Sequence, residues 1–245
     1  MFRFPAPYNL SAAPGSGSYY VFSMGDTGSV PITTATGGTG FITGGGYQTA
    51  TYLSQAGPAG SNKYSSAGLL QPAPGTKMNF GFEAKYQLNN KNLQGGMNLI
   101  IRSQCLGIAV PGYTPKPLPG NVCVYQVKVP QGQLTSLSET TLTGTKYLTA
   151  QLFGGANIFD VTWASNIQQV TNSKTSTLQL QMVDIGEPGA NVDPLAIQVT
   201  DTTYGLLFSN NWSGTNTVLS VAAVTSPAGT STTAPVINGG NLQVH

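Results

Sequence analysis

The sequence predicts an all-β fold, an antiparallel β-sandwich or barrel-like domain with Gly/Pro-rich turns and little or no helix. Apolar and polar residues alternate with period two in several segments, which is the pattern of strands with one buried face. No comparable stretch carries the apolar spacing of an amphipathic helix. The 31 Gly and 16 Pro of this 245-residue chain also disfavour long helices, because these two residues carry the largest helix penalties.

Six segments carry the alternation, and turn-forming Gly, Pro and Asn residues separate them. The apolar faces of the predicted strands consist, in chain order, of Phe80, Phe82, Ala84 and Tyr86; Cys123, Tyr125, Val127 and Val129; Phe159, Val161 and Trp163; Leu178, Leu180 and Met182; Leu195, Ile197 and Val199; and Leu242 and Val244. Strands at this density predict a sandwich or a barrel.

Two tracts differ from the rest of the chain in composition. Residues 23–75 are rich in Gly, Ser, Thr and Ala with scattered Pro, and residues 224–240 are similar. Such a composition favours surface loop or linker. The alternative is ordered irregular structure that covers a sheet.

The scarcity of charged residues and of histidine argues against several classes of function. Charged residues make up 7% of the chain, against about 25% in typical soluble domains, and the net charge is +2. This charge is too small to hold a phosphate backbone, so we expect no nucleic-acid partner. No apolar run is long enough to insert into a membrane. The only histidine is His245, which removes most general-base chemistry, and we predict that the chain is not an enzyme.

Acidic residues suggest at most a calcium site. Asp184, Glu187 and Asp193 bracket a Gly/Pro loop and could offer oxygen ligands to Ca²⁺. Their spacing matches no EF-hand or nonapeptide repeat, and solvated turn residues are the favoured interpretation. We expect no other cofactor.

The two cysteines flank one Pro-rich loop. Cys105 precedes it and Cys123 begins the next strand, so a disulfide between them would close the loop. We predict this bond, which an oxidising exterior permits. The alternative is two buried free thiols that behave as small apolar residues.

The order of several motifs resembles a bacterial secreted accessory β domain that follows Ig-like, PKD-like or hyalin-type repeats in large surface proteins. The motifs are residues 41–47 (F-I-T-G-G-G-Y), 78–86 (M-N-F-G-F-E-A-K-Y), 194–201 (P-L-A-I-Q-V-T-D), 206–209 (L-L-F-S) and 239–245 (G-G-N-L-Q-V-H). Tyr47 stands where that family usually has Trp, and Thr200 stands where it often has Trp. The resemblance implies an extracellular, non-catalytic β module over residues 40–245, with insertions near 106–121 and 218–238.

Residues 1–39 lie outside this resemblance and form a predicted N-terminal extension. Its first part carries an unusual apolar load, namely Phe2, Phe4, Tyr8, Tyr19, Tyr20 and Val21. We predict that this segment pairs with a sheet edge of a neighbouring molecule. The alternatives are docking onto its own domain and a frayed terminus.

The leading hypothesis is an extracellular or cell-surface structural or adhesive module of a bacterial surface, matrix or filament protein. It would contact other copies of itself or other surface proteins, because neutral polar faces can associate without desolvating ions. The first alternative is a polysaccharide-binding module, and the second is a capsid-like structural protein. The candidate sugar-stacking aromatics are Tyr19, Tyr20, Tyr47, Tyr52, Tyr113, Trp163, Tyr204 and Trp212.

Overall fold

The structure, a computed structural model, describes residues 40–50, 65–72, 75–87, 92–106, 110–142, 145–212 and 236–245. In these ranges the chain forms thirteen strands and no helix, and so no helix that could cross a membrane. The strands are β1 (Phe41–Thr49), β2 (Ser65–Ala67), β3 (Lys77–Tyr86), β4 (Leu93–Gln104), β5 (Val122–Val129), β6 (Leu134–Thr141), β7 (Leu148–Gly155), β8 (Asn157–Asp160), β9 (Gln168–Thr171), β10 (Ser176–Asp184), β11 (Leu195–Asp201), β12 (Gly205–Trp212) and β13 (Gly239–Val244).

The strands form two antiparallel sheets packed face to face. Sheet A has the order β13-β1-β3-β4-β5-β8-β9, and sheet B has the order β2-β12-β11-β10-β7-β6. The edge strands are β13 and β9 in sheet A and β2 and β6 in sheet B, and in neither sheet do the two edge strands pair with each other. The architecture is therefore a sandwich and not a closed barrel. This confirms the all-β prediction. All thirteen strands belong to one compact unit, Ala35–His245, whereas the predicted boundary at residue 40 stays a prediction.

One core fills the space between the sheets. The alternation predicted for β3, β5, β10, β11 and β13 is confirmed, because the apolar side of each of these strands is buried. The exception among the predicted inward residues of these strands is Tyr86, which is only partly buried at the end of β3. Period-two patterning therefore located five strands and their inner faces.

The prediction for β8 is wrong about its face. The buried residues are Ile158 and Asp160, and the strand ends at Asp160. Phe159 is only partly buried, and Trp163 lies in the following turn with 44% of its surface exposed. The alternation predicts that a polar residue such as Asp160 faces outward. In the structure Asp160 is buried, because hydrogen-bond donors surround its carboxylate.

The loop interpretation is wrong for parts of both Gly-rich tracts. Residues 41–49 form β1, which pairs with β13 on one side and β3 on the other. Gly44 is needed there for packing, since a Cβ atom on it would lie 2.3 Å from Cζ of Phe82. In the second tract Ile237 is fully buried. Most of the predicted insertion 218–238 lies outside the described residues.

A buried polar bridge joins the two sheets. The Asn210 amide on β12 donates to Oε1 of Gln48 on β1 at 2.7 Å and to the Leu195 carbonyl at 2.8 Å. Its Oδ1 accepts the backbone N–H of Ile197 at 2.7 Å. Gln48 also donates to the Leu195 carbonyl at 3.1 Å. Because buried amides are stable only when hydrogen-bonded, this bridge fixes β1 against sheet B.

Candidate functional site

The Pro-rich loop between β4 and β5 is closed by the predicted disulfide, which the structure contains. Cys105 and Cys123 are bonded, with their Cα atoms 4.8 Å apart. Inside the loop, the backbone N–H of Leu118 donates to the Val122 carbonyl at 2.8 Å. The described part of the predicted insertion near 106–121, namely Leu106 and residues 110–121, is thus an ordered loop that the disulfide joins to the start of β5.

A buried network of hydroxyl and carboxylate groups holds this loop on the body of the domain. The Tyr113 hydroxyl donates to Oδ2 of Asp160 at 2.7 Å, and it lies 3.0 Å from the Tyr125 hydroxyl. Since the one Tyr113 proton goes to Asp160, the Tyr125 hydroxyl donates to the Tyr113 oxygen. Tyr125 in turn accepts the backbone N–H of Leu106 at 2.8 Å. Burial raises the pKa of Tyr113 far above its ordinary value, so this hydroxyl keeps its proton and remains a donor.

The outer part of the loop lies against the turn between β8 and β9. The Trp163 indole donates to the Lys116 carbonyl at 2.8 Å. The Gln168 amide donates to the Thr114 carbonyl at 3.0 Å and accepts the Thr114 N–H at 3.1 Å. Trp163 and Ile167 are 44% and 59% exposed. We call Thr114, Lys116, Trp163, Ile167 and Gln168 the loop platform. Trp163 and Ile167 supply its exposed apolar side chains, and the hydrogen bonds above hold its backbone.

A second surface feature crosses the outer face of sheet A. Strand register places Asn241, Gly45, Gly81, Asn98 and Lys128 in one row across five adjacent strands. Gly45 and Gly81, the second and third positions of the row, have no side chains, so the surface is lower there. The result is a depression of about 630 Å³, which is called the sheet groove below.

The groove has a polar rim around its glycine floor. The rim side chains are Thr43, Glu83, Asn98, Lys128, Gln131, Asn241 and Gln243. A smaller depression of about 270 Å³ shares Glu83 and Gln131 with the groove and extends it toward Phe41. Sequence reasoning does not predict this feature, because Gly45 and Gly81 lie within two of the motifs that carry the family resemblance. The available signal was an outward-facing glycine between the buried Phe80 and Phe82.

The three acidic residues of the predicted calcium site accept hydrogen bonds from different residues. Asp184 accepts the backbone N–H of Val244 at 3.1 Å, and Glu187 accepts the Gln243 amide at 2.9 Å. Oδ1 of the fully buried Asp193 accepts the Ile185 N–H at 2.9 Å. In the described part of the chain, no three His, Cys, Asp or Glu residues are grouped to hold a metal ion. Calcium binding stays a prediction.

The candidate aromatics do not form one platform among the side chains that the structure describes. Tyr113 is buried, Tyr204 is partly buried against the core, and the Lys77 ammonium lies 4.1 Å above the Tyr47 ring. Among the candidates whose side chains the structure describes, Trp163 is the exposed one. Outside the described side chains lie Tyr19, Tyr20, Tyr52 and Trp212, and also the predicted assembly residues Phe2, Phe4, Tyr8 and Val21.

Comparisons of the chain with protein-family models, with curated proteins and with solved structures gave no match. The resemblance to the bacterial accessory domain therefore stays a prediction that rests on the motifs alone.

Proposed function

We propose that this chain is an extracellular structural or adhesive β module of a bacterial surface, matrix or filament protein that works through contacts between copies of itself. The loop platform carries this proposal. It exposes Trp163 and Ile167 together on one turn, and large aromatic side chains are the residues that most often dominate protein interfaces.

The platform is also rigidly held, which favours binding. The Trp163–Lys116 and Gln168–Thr114 hydrogen bonds hold the Pro-rich loop against the β8–β9 turn. The disulfide closes the same loop where it meets β4 and β5. A surface already in its bound conformation loses little entropy when a partner docks. We infer that the loop is built to present these side chains.

Composition and covalent chemistry support the same proposal. With 7% charged residues, two faces of this protein can meet without removing many ions from water. The Cys105–Cys123 bond fits a compartment in which disulfides persist, such as the cell exterior.

Self-association of a platform variant tests the proposal. The intact chain at micromolar concentration is expected to form oligomers or filaments in sedimentation velocity and negative-stain electron microscopy. The double variant Trp163→Ser/Ile167→Ser should associate more weakly, with an association constant lower by about tenfold or more. Val192→Ser is the matched control, because Val192 is also exposed, at 39%, but belongs to a different loop.

Two results would contradict the proposal. The intact chain could stay monomeric throughout the concentration range, or the platform variant could associate as well as the control. Circular dichroism of each variant establishes that any loss of association is not a loss of fold.

A further inference from the structure

The floor of the sheet groove contains two glycines that the folded domain itself does not require. Gly45 and Gly81 are directly paired across β1 and β3, and neither has a positive φ. Among the described residues, a Cβ atom on Gly45 would come no closer than 3.9 Å to another atom, and one on Gly81 would meet nothing within 4 Å. Glycine weakens a strand, and within strands it often marks a place where another molecule approaches the backbone. The described residues therefore give no packing or backbone reason for the open floor.

The rim of the groove offers hydrogen-bonding groups in fixed orientations. On one side, Oδ1 of Asn241 accepts the Gly189 N–H at 2.7 Å. On the other side, Oδ1 of Asn98 accepts the Gln126 amide at 2.9 Å. Both amides are therefore oriented before any ligand arrives, which lowers the entropy lost on binding.

The charge of the rim is balanced. Glu83 supplies one carboxylate and Lys128 one ammonium, and the other rim side chains are neutral amides and a hydroxyl. Beside the rim, the Glu187 carboxylate accepts the Gln243 amide and Lys85 lines the smaller depression, so these two charges also balance. Such a lining has no net field to attract an anion or a cation. Amide and hydroxyl groups both donate and accept, and sugar hydroxyls do the same.

The groove does not suit a polypeptide. Its floor strands β1 and β3 are each paired on both sides, so they offer no free ladder for an added strand. A folded protein partner would need apolar anchors, but Phe82 and Met97 beneath the groove are only 7% and 3% exposed.

From this geometry we infer that the sheet groove binds a neutral polysaccharide, with a sugar ring lying on the peptide planes of Gly45 and Gly81. The depression, of about 630 Å³, is shallow and open to solvent, and it is large enough to take a sugar ring. Its extension past Glu83 and Gln131 gives room for further sugar units along a chain. This site is separate from the loop platform and does not depend on the proposed self-association.

Filling the floor tests the inference. The probes are cellohexaose, laminarihexaose, maltohexaose and mannohexaose, with polygalacturonate as the charged comparison, measured by titration calorimetry on the full chain. The intact protein is expected to bind at least one neutral hexasaccharide more tightly than polygalacturonate. Gly81→Val should weaken that binding about tenfold or more. It should not lower the unfolding temperature, because valine favours strands and its site is open.

Two further variants make the result decisive. Thr177→Val introduces the same side chain at an exposed strand position of sheet B and should leave affinity unchanged. Asn98→Ala removes a rim amide and should weaken binding even if Gly81→Val fails to fold.

Three outcomes would overturn the inference: no binding to any neutral probe, stronger binding to polygalacturonate, or equal affinity in the intact chain and the groove variants. The Trp163→Ser/Ile167→Ser protein separates this site from the platform. If that variant loses saccharide affinity and the groove variants keep it, the sugar stacks on Trp163 and the groove is not the site.

Discussion

Two buried aspartates have pKa values shifted in opposite directions, and the local supply of donors explains the difference. Burial tends to raise the pKa of Asp201, but donors outweigh burial and lower it, with Ser176 Oγ at 2.6 Å and the Thr203 N–H at 2.8 Å. Burial raises the pKa of Asp193, and the N–H groups of Ile185 and Gly186 only partly oppose this. The first carboxylate is stabilised as an anion, and the second is not.

These shifts predict opposite effects of two matched substitutions on stability. In the folded state Asp193 binds its proton more tightly than in the unfolded chain, so its contribution to stability is lost as pH rises above about 3.9. Asp193→Asn should therefore raise the unfolding temperature at pH 7, by about 2–4 °C for each kcal/mol gained. Asp201 contributes stability at pH 7 that is lost as pH falls below about 3.9, so Asp201→Asn should lower the unfolding temperature at pH 7.

Thermal unfolding of the intact protein and both variants, measured between pH 3 and pH 8, checks this prediction. Each variant should approach the intact protein as pH falls through the pKa of the replaced group. A destabilised Asp193→Asn protein at pH 7 would show that hydrogen bonds to the ionised Asp193 outweigh the penalty of its burial.

At the scale of elements, side chains occupy backbone groups at two sheet edges. On β6 the Tyr86 hydroxyl bonds both the N–H of Leu137, at 3.3 Å, and its carbonyl, at 3.2 Å. On β13 the N–H of Val244 donates to Asp184. Occupied edge groups oppose strand addition at these positions. This favours contacts made by side chains, as the loop platform offers.

The disulfide loop is the element whose stabilisation can be measured most directly. Replacing both Cys105 and Cys123 by Ser should lower the free energy of unfolding by roughly 2–4 kcal/mol, because the bond restricts the unfolded chain. Denaturant unfolding under non-reducing conditions measures this difference. Recovery of both cysteines as free thiols in non-reducing peptide mapping of secreted material would contradict the bond itself.

At the scale of the whole molecule, deletion tests the role of the predicted assembly segment, residues 1–21. Deleting residues 1–21 should leave the sheet content unchanged, because the described strand ladders lie between residues 41 and 244. If the segment pairs with a neighbouring molecule, the truncated chain should no longer form oligomers or filaments. Circular dichroism and sedimentation velocity measure the two effects. Unchanged assembly would refute the role of the segment, and loss of folding would indicate that it docks on its own domain.

The sequence by itself determined the fold class, the disulfide pair and the inner faces of β3, β5, β10, β11 and β13. These features are local or nearly so, since alternation within one strand reports which side meets the core. Cys105 and Cys123 flank a single loop and could be paired without knowledge of the sheets. Where a buried polar residue interrupted the alternation, as Asp160 does in β8, the same reasoning chose the wrong face.

Only the tertiary structure decided what the Gly-rich segments do and where candidate sites lie. Gly45 and Gly81 are 36 positions apart in sequence, and the register of β1 against β3 brings them side by side. Trp163 meets Lys116 because β5 and β8 are neighbours in sheet A. Register and strand order depend on contacts between distant residues, and a glycine with no side chain carries no local pattern to reveal them.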